Sequence, residues 1–246
     1  MNKEFYNRLK EGMDKLPQKV TLVAVTKSVG INETNEIIRA GVKAIGENRV
    51  EDAEKKFPHL LPVEKHFIGQ IQSRKIKRII ELFDVIQSVG SIEHLERIEK
   101  EALAQNKPIK VLLQFNISGE AQKGGFSQDE LGKILISNNS LSANSPLRIK
   151  LRAGTARELA DKSRAISATP GVKIVGVMGM AIDTKDSEIV RKQFRLLKDM
   201  RNQLHAKFPE ITELSMGMSN DYKMALEEDA TMLRVGRLLF NDRISA

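Results

Sequence analysis

Cysteine and tryptophan are both absent from this 246-residue chain, and aromatic residues make up only 4% of it. Without cysteine there are no disulfides, no thiolate metal ligands and no thiol nucleophile. With so few rings, a stacking platform for single-stranded nucleic acid is poorly supplied. No apolar run approaches the ~18 residues that a membrane-spanning helix needs. The opening segment MNKEFYNRLKEGMDKL lacks the apolar core of a signal peptide. It reads instead as an amphipathic helix, with Phe5, Leu9, Met13 and Leu16 on one face. Together these absences point to the reducing cytoplasm as the place where the chain works.

What is present is enough apolar residue, 41%, to bury a sizeable core, and a basic balance of 40 Lys and Arg against 32 Asp and Glu, a net +8. Such a charge attracts nucleic acid or any phosphorylated ligand. The basic residues are spread along the chain, with local density only at 72–78 and 148–152, so a solvated basic face is the simpler reading. Short apolar runs alternate with amphipathic stretches. Strands are expected at 20–27, 43–48, 65–69, 84–90, 109–118, 172–180, 211–217 and 231–236, and helical pattern follows each of them except the eighth. This recurrence argues for parallel strands joined by crossover helices. Eight of them fit a single closed (β/α)8 TIM-type barrel spanning 1–246, with the extra N-terminal helix in front. An open doubly wound sheet is the alternative, but the first strand is followed by TKSVGINE, which carries no G-x-G-x-x-G phosphate fingerprint. The polar, Ser/Asn-rich stretch at 137–155 reads as a surface insertion ahead of a helix at 156–166.

Barrel enzymes and binders place their chemistry at the carboxyl ends of the strands. Those ends supply Lys27, Glu47 with Asn48, Gly69 with Gln70, Ser88, Asn116, Met178, Ser215 and Arg234. The set holds one lysine, one arginine and no histidine or carboxylate cluster, so neither a metal centre nor a Ser-His-Asp arrangement is supported. Lys27 ends an apolar strand. It is either a snorkelling strand terminus or a nucleophilic amine made reactive by desolvation, and the sequence leaves both readings open. In SMGMSND (215–221), Gly217 would let backbone approach a ligand, and Ser219 or Asn220 would cap the next helix. Arg234 interrupts an apolar strand and needs an acceptor, and Gly236 with Arg237 opens a second potential phosphate nest. Phosphate sites after the last two strands recur in barrels. An amine, an arginine and such a cradle together describe a site for pyridoxal phosphate.

AVTK (24–27), GENRV (46–50), HFIGQIQSRK (66–75), NISGEAQKGGF (116–126), GVMGM (176–180), SMGMSND (215–221) and RVG (234–236) occur in this order along the chain. This ordered set resembles the pyridoxal phosphate homeostasis protein family, single barrels similar to the N-terminal domain of alanine racemase. The resemblance implies an aldimine between pyridoxal 5'-phosphate and Lys27, with Arg234 facing the pyridine nitrogen. It implies phosphate contacts from Ser215, Ser219 and the backbone of Gly236 and Arg237. Asn48 would lie beside the ring, with Met178 and the Ile68–Gly69 end lining the pocket. Arg237 stands where the family commonly has Thr, Lys65 where an aromatic residue is usual, and the 137–155 insertion is atypical. None of these departures touches Lys27 or Arg234.

The family is held to carry and buffer the cofactor without catalytic turnover, and the residues agree. An arginine at the ring nitrogen weakens the electron sink, and a racemase needs a base on each face of the substrate carbon. Alanine racemase takes its second base from a tyrosine of a C-terminal domain, whereas the tyrosines here are Tyr6 and Tyr222, in helical segments. The expected function is a pyridoxal phosphate carrier that hands its cargo to acceptor enzymes, as a monomer and away from membranes. A pyridoxal-phosphate-dependent amino acid racemase is the alternative, and a nucleic-acid binder is a distant third.

Overall fold

A computed structural model describes residues 1–120, 123–131 and 171–240. Eight parallel strands close into a barrel in sequential order, β1 pairing with both β2 and β8. They are β1 (Thr21–Val25), β2 (Ala44–Glu47), β3 (Glu64–Phe67), β4 (Val85–Val89), β5 (Ile109–Phe115), β6 (Val172–Gly179), β7 (Glu213–Ser215) and β8 (Met232–Val235). The described helices are α1 (Lys3–Asp14), α2 (Ile31–Arg39), α3 (Val50–Lys56), α4 (Ile76–Leu82), α5 (Ile92–Ala104), α6 (Ser187–Lys207), α7 (Tyr222–Glu227) and α8 (Arg237–Phe240). The insertion expected at 137–155 and the helix expected at 156–166 lie outside the described residues.

Local chemistry sets the helix starts. The side chain of Asn2 accepts from Phe5 N at the head of α1, and Ser91 accepts from His94 N at the head of α5. Asp186 accepts from Glu188 N and Ile189 N to open α6. Along α6, Val190, Phe194, Leu197, Met200 and Leu204 recur every three or four residues and are buried, the period of a helix lying on a sheet. Strand alternation separates two cores. Leu22, Ala24, Ile45, Phe67, Val111, Leu113, Leu214, Leu233 and Val235 join the helices in one large apolar cluster. The alternate residues form only small apolar groups, Val23 with Ala44 and Met232, and Val85 with Leu112 and Met178. Between those groups the barrel interior holds a seam of buried polar side chains: His66, Gln87, Ser215 and Arg234.

Two expectations need correction. The first strand ends at Val25, so Lys27 sits two residues beyond it in a turn, and Thr26 is the last residue held in ladder fashion, its N–H donating to Gly46 O at 3.0 Å. The eighth strand is followed by a helix after all, the single turn RLLF. Four residues are too few to display a helical period, which is why the pattern hid it.

Candidate functional site

A cavity of about 610 Å³ opens at the carboxyl ends of the strands, within the size range of small-molecule sites. Its wall contains Lys27, Asn48, Met178, Ser219, Arg234, Gly236 and Arg237, together with Ile68 and Gly69. Residues distant in sequence therefore converge where barrel topology places chemistry.

The approach of the β2 and β3 ends is tight. A Cβ on Gly69 would stand 2.0 Å from Asn48 O, so only glycine lets the GENRV and HFIG segments meet. Gly236 is likewise pressed against β1, where a Cβ would come within 3.0 Å of Val25 O. Gly217 is required for a different reason from the one its sequence suggested. It adopts φ +90°, and a Cβ there would meet Ala225 Cβ at 2.5 Å and Leu233 Cδ2 at 2.8 Å. It serves the turn and the packing beneath α7 and is not part of the cavity wall. The cap of α7 is Asp221, not Ser219 or Asn220, and its Oδ1 accepts from Met218 N at 2.5 Å.

Lys27 is exposed on the cavity wall, so the burial expected of a desolvated nucleophile is not what the structure supplies. What it supplies is freedom and a fixed base. Among the described residues the Lys27 ammonium makes no hydrogen bond or ion pair. The backbone just before it is pinned: Lys56 Nζ, from α3, donates to Thr26 O at 2.8 Å and to Glu47 Oε1 at 2.6 Å, while Thr26 Oγ1 donates to the same oxygen at 2.7 Å. Nothing in the sequence marks Lys56, which reads as one more surface lysine in VEDAEKK.

Arg234 is buried, 4% exposed, and forms part of the cavity floor. Its Nη1 donates to Ser215 Oγ at 2.6 Å and its Nη2 to Gly179 O at 2.9 Å. Among the described residues no ion pair neutralises it. Burial lowers its pKa to about 10, and Asp221 is the one carboxylate that opposes this. Burial also raises the Asp221 carboxyl above its ordinary range, against the Met218 N–H and the charge of Arg234. Ser215 is fully buried below Arg234 and does not line the cavity; its hydroxyl donates to Gln87 Oε1 at 2.7 Å. Arg237 is exposed at the wall, its Nη2 donating to Asn220 Oδ1 at 3.0 Å.

Sequence reasoning passed over three charged members of the wall: Lys123, Asp183 and Asp221. Lys123 ion-pairs with Glu120 and donates to Ala181 O at 3.1 Å. Its position inside NISGEAQKGGF was the available signal. The lining groups Lys27, Lys123, Arg234 and Arg237 against Asp183 and Asp221 leave a formal surplus of two positive charges. A free amine, an unneutralised buried guanidinium and that surplus form a donor set for a small dianion that carries an electrophile. Among the described residues no group of three His, Cys, Asp or Glu side chains could hold a metal ion. Tyr6 and Tyr222 do not line the cavity: Tyr6 donates to Ala40 O at 3.1 Å, and Tyr222 packs edge-on against Phe5.

Comparison with known proteins agrees with this geometry. The profile of the alanine racemase N-terminal domain family matches residues 3–152 and 148–243. A pyridoxal phosphate homeostasis protein of Vibrio alginolyticus is 32% identical over 233 residues, covering 92% of this chain and 88% of that one. PipY of Synechococcus elongatus, solved without PLP, superposes with a TM-score of 0.77 at 29% identity, covering 96% of this chain and 100% of its own. The same protein solved with PLP bound gives a TM-score of 0.72 at 28% identity, over 96% of this chain and 100% of its own.

Proposed function

From the premise that the chain belongs to the alanine racemase N-terminal domain family, among its pyridoxal phosphate homeostasis proteins, we propose that it binds pyridoxal 5'-phosphate in the 610 Å³ cavity and serves as an intracellular carrier or buffer of it. When bound, this cofactor supplies an aldehyde that condenses reversibly with a primary amine. The observation that carries the reading is Arg234: among the described residues this buried guanidinium has no ion-pair partner, and it opens onto a cavity whose only unpartnered amine is Lys27.

Each residue then has a definite task. Lys27 offers the amine that meets the aldehyde, and the Glu47–Lys56 pair holds the backbone from which it projects. Arg234 would donate to the pyridine nitrogen, with Ser215 holding the guanidinium from below. Ser219 and the backbone of Gly236 and Arg237 would hold the phosphate, and Asn48 and Met178 would line the space for the ring. The positive surplus of the wall favours an anion over a neutral ligand.

Carriage rather than turnover is supported by the same residues. A guanidinium that only donates would keep the ring nitrogen unprotonated, so electron withdrawal from a substrate carbon would be weak. Neither tyrosine reaches the cavity to act as a second base. The cytoplasm, where acceptor enzymes need the cofactor, is the setting this function requires.

Titration of the purified chain with pyridoxal phosphate, followed by absorbance, tests the reading. Saturable binding with a new visible band is expected for the wild type, and Lys27→Ala should lack the band. Identical spectra for the two proteins would overturn it.

A further inference from the structure

We infer that the buried polar seam of the barrel is a directed hydrogen-bond relay that sets the proton positions of His66 and Gln87 and locks Arg234 beneath the cavity, which makes Gln87 and His66 positioning residues for the ligand. The relay runs from one end of the barrel to the other. Lys110 Nζ donates to Glu64 Oε1 at 2.8 Å, and Glu64 Oε2 lies 3.1 Å from His66 Nε2. His66 Nδ1 lies 2.7 Å from Gln87 Nε2, Gln87 Oε1 lies 2.7 Å from Ser215 Oγ, and Ser215 Oγ lies 2.6 Å from Arg234 Nη1. His66 is 1% exposed, and Gln87 and Ser215 are fully buried.

The direction follows from donor chemistry alone. A guanidinium has no acceptor, so Ser215 Oγ must accept from Arg234 and turn its own proton to Gln87 Oε1. That fixes the amide with its nitrogen towards His66. A second contact demands the same orientation, because Gln87 Nε2 also lies 3.1 Å from Met232 Sδ, which can only accept. The amide N–H therefore points at His66 Nδ1, which must carry no proton. The imidazole proton sits on Nε2, which donates a hydrogen bond to the Glu64 carboxylate; this bond and Lys110 keep that carboxylate ionised, its pKa lowered to about 2. A proton on Nδ1 would confront the amide donor. Turning the amide over to relieve that clash would leave the Ser215 hydroxyl proton without an acceptor, since Arg234 and the amide would both donate to its oxygen. One arrangement satisfies every group, and it holds the guanidinium in place.

The test has two arms. Long-range proton–nitrogen NMR on the ligand-free chain should show His66 as the Nε2–H tautomer with Nδ1 unprotonated. A proton on Nδ1 of the wild type would overturn the relay whatever the protein binds. The second arm, which rests on the binding reading above, uses pyridoxal phosphate as the probe. Gln87→Met keeps the volume but removes both ends of the amide, and affinity should fall about tenfold, the equivalent of one net hydrogen bond. Gln87→Glu still accepts from Ser215 and should draw a proton onto His66 Nδ1, visible by NMR, with affinity kept within about threefold. Equal affinity of wild type and Gln87→Met would overturn the positioning role. Absence of binding by the wild type would defeat the functional reading and leave the tautomer result standing.

Discussion

Among the described residues two cations, Lys56 and Arg234, are buried in this barrel, and they are treated in opposite ways. Lys56 is closed: Glu47 Oε1 sits 2.6 Å from its ammonium, Thr26 O takes a second bond, and the pair lies outside the cavity wall. Arg234 is open: it holds a serine hydroxyl and a backbone carbonyl, has no ion-pair partner among the described residues, and faces a ligand-sized cavity. A charge removed from water needs compensation. Lys56 finds it within the protein and so fixes structure. Arg234 waits for it from a ligand and so stores binding capacity. This difference separates the frame that presents Lys27 from the floor that receives its partner.

Substitutions at the two cations should move stability and affinity in contrasting ways. Lys56→Met leaves the fully buried Glu47 carboxylate without its cation and with only the Thr26 hydroxyl as donor, and denaturant unfolding should show a loss of about 3–5 kcal/mol. The double change Glu47→Leu with Lys56→Met should recover most of it, because an apolar pair of similar volume replaces the ion pair. Arg234→Met relieves a desolvated charge but takes a donor from Ser215 Oγ and Gly179 O, so compared with Lys56→Met the ligand-free chain should lose clearly less stability. Its affinity for pyridoxal phosphate, measured by titration, should drop roughly 10- to 100-fold, as for a lost hydrogen bond to a charged group. Parallel destabilisation by Lys56→Met and Arg234→Met would break the contrast.

Smaller effects sharpen it. Gly69→Ala forces a methyl group to within 2.0 Å of Asn48 O, a backbone atom that cannot swing aside. A loss of about 1–3 kcal/mol in unfolding free energy is expected, together with weaker binding as Asn48 shifts in the wall. Glu64 gives the mildest case, because its carboxylate is only partly buried. Its folded pKa is depressed from 4.5 to about 2, first by the hydrogen bond from His66 and then by that from Lys110. The stability it contributes is therefore present above pH 4.5 and is lost as pH falls towards 2. Glu64→Gln should flatten the stability profile across that acid window, lowering stability above pH 4.5, where the carboxylate's contribution is fully present, and converging with wild type as pH falls towards 2, as followed by urea unfolding at several pH values.

The eight strands were legible because a buried parallel strand is a short apolar run and each is followed by a helix with its own period. Lys27, Arg234 and the SMGMS loop were legible because a charge or a glycine stands out in such a run. The seam was not. His66, Gln87 and Ser215 belong to three different strands, and each looks like an isolated polar residue until barrel closure brings them within hydrogen-bond distance. Ser215 shows the limit most clearly. Its motif suggests a phosphate contact, while its hydroxyl is engaged between Gln87 and Arg234. Lys56 fails for a related reason: spacing shows which helix face a lysine occupies, but the carboxylate that turns it inward lies on a neighbouring strand.

The central claim is that Lys27, rather than its cavity neighbour Lys123, is the amine that takes the aldehyde. Borohydride reduction of the chain mixed with pyridoxal phosphate, followed by peptide mass mapping, tests this directly. The account predicts a single pyridoxyl increment on the peptide that contains Lys27, and an unmodified residue 27 with the increment on Lys123 or elsewhere would contradict it.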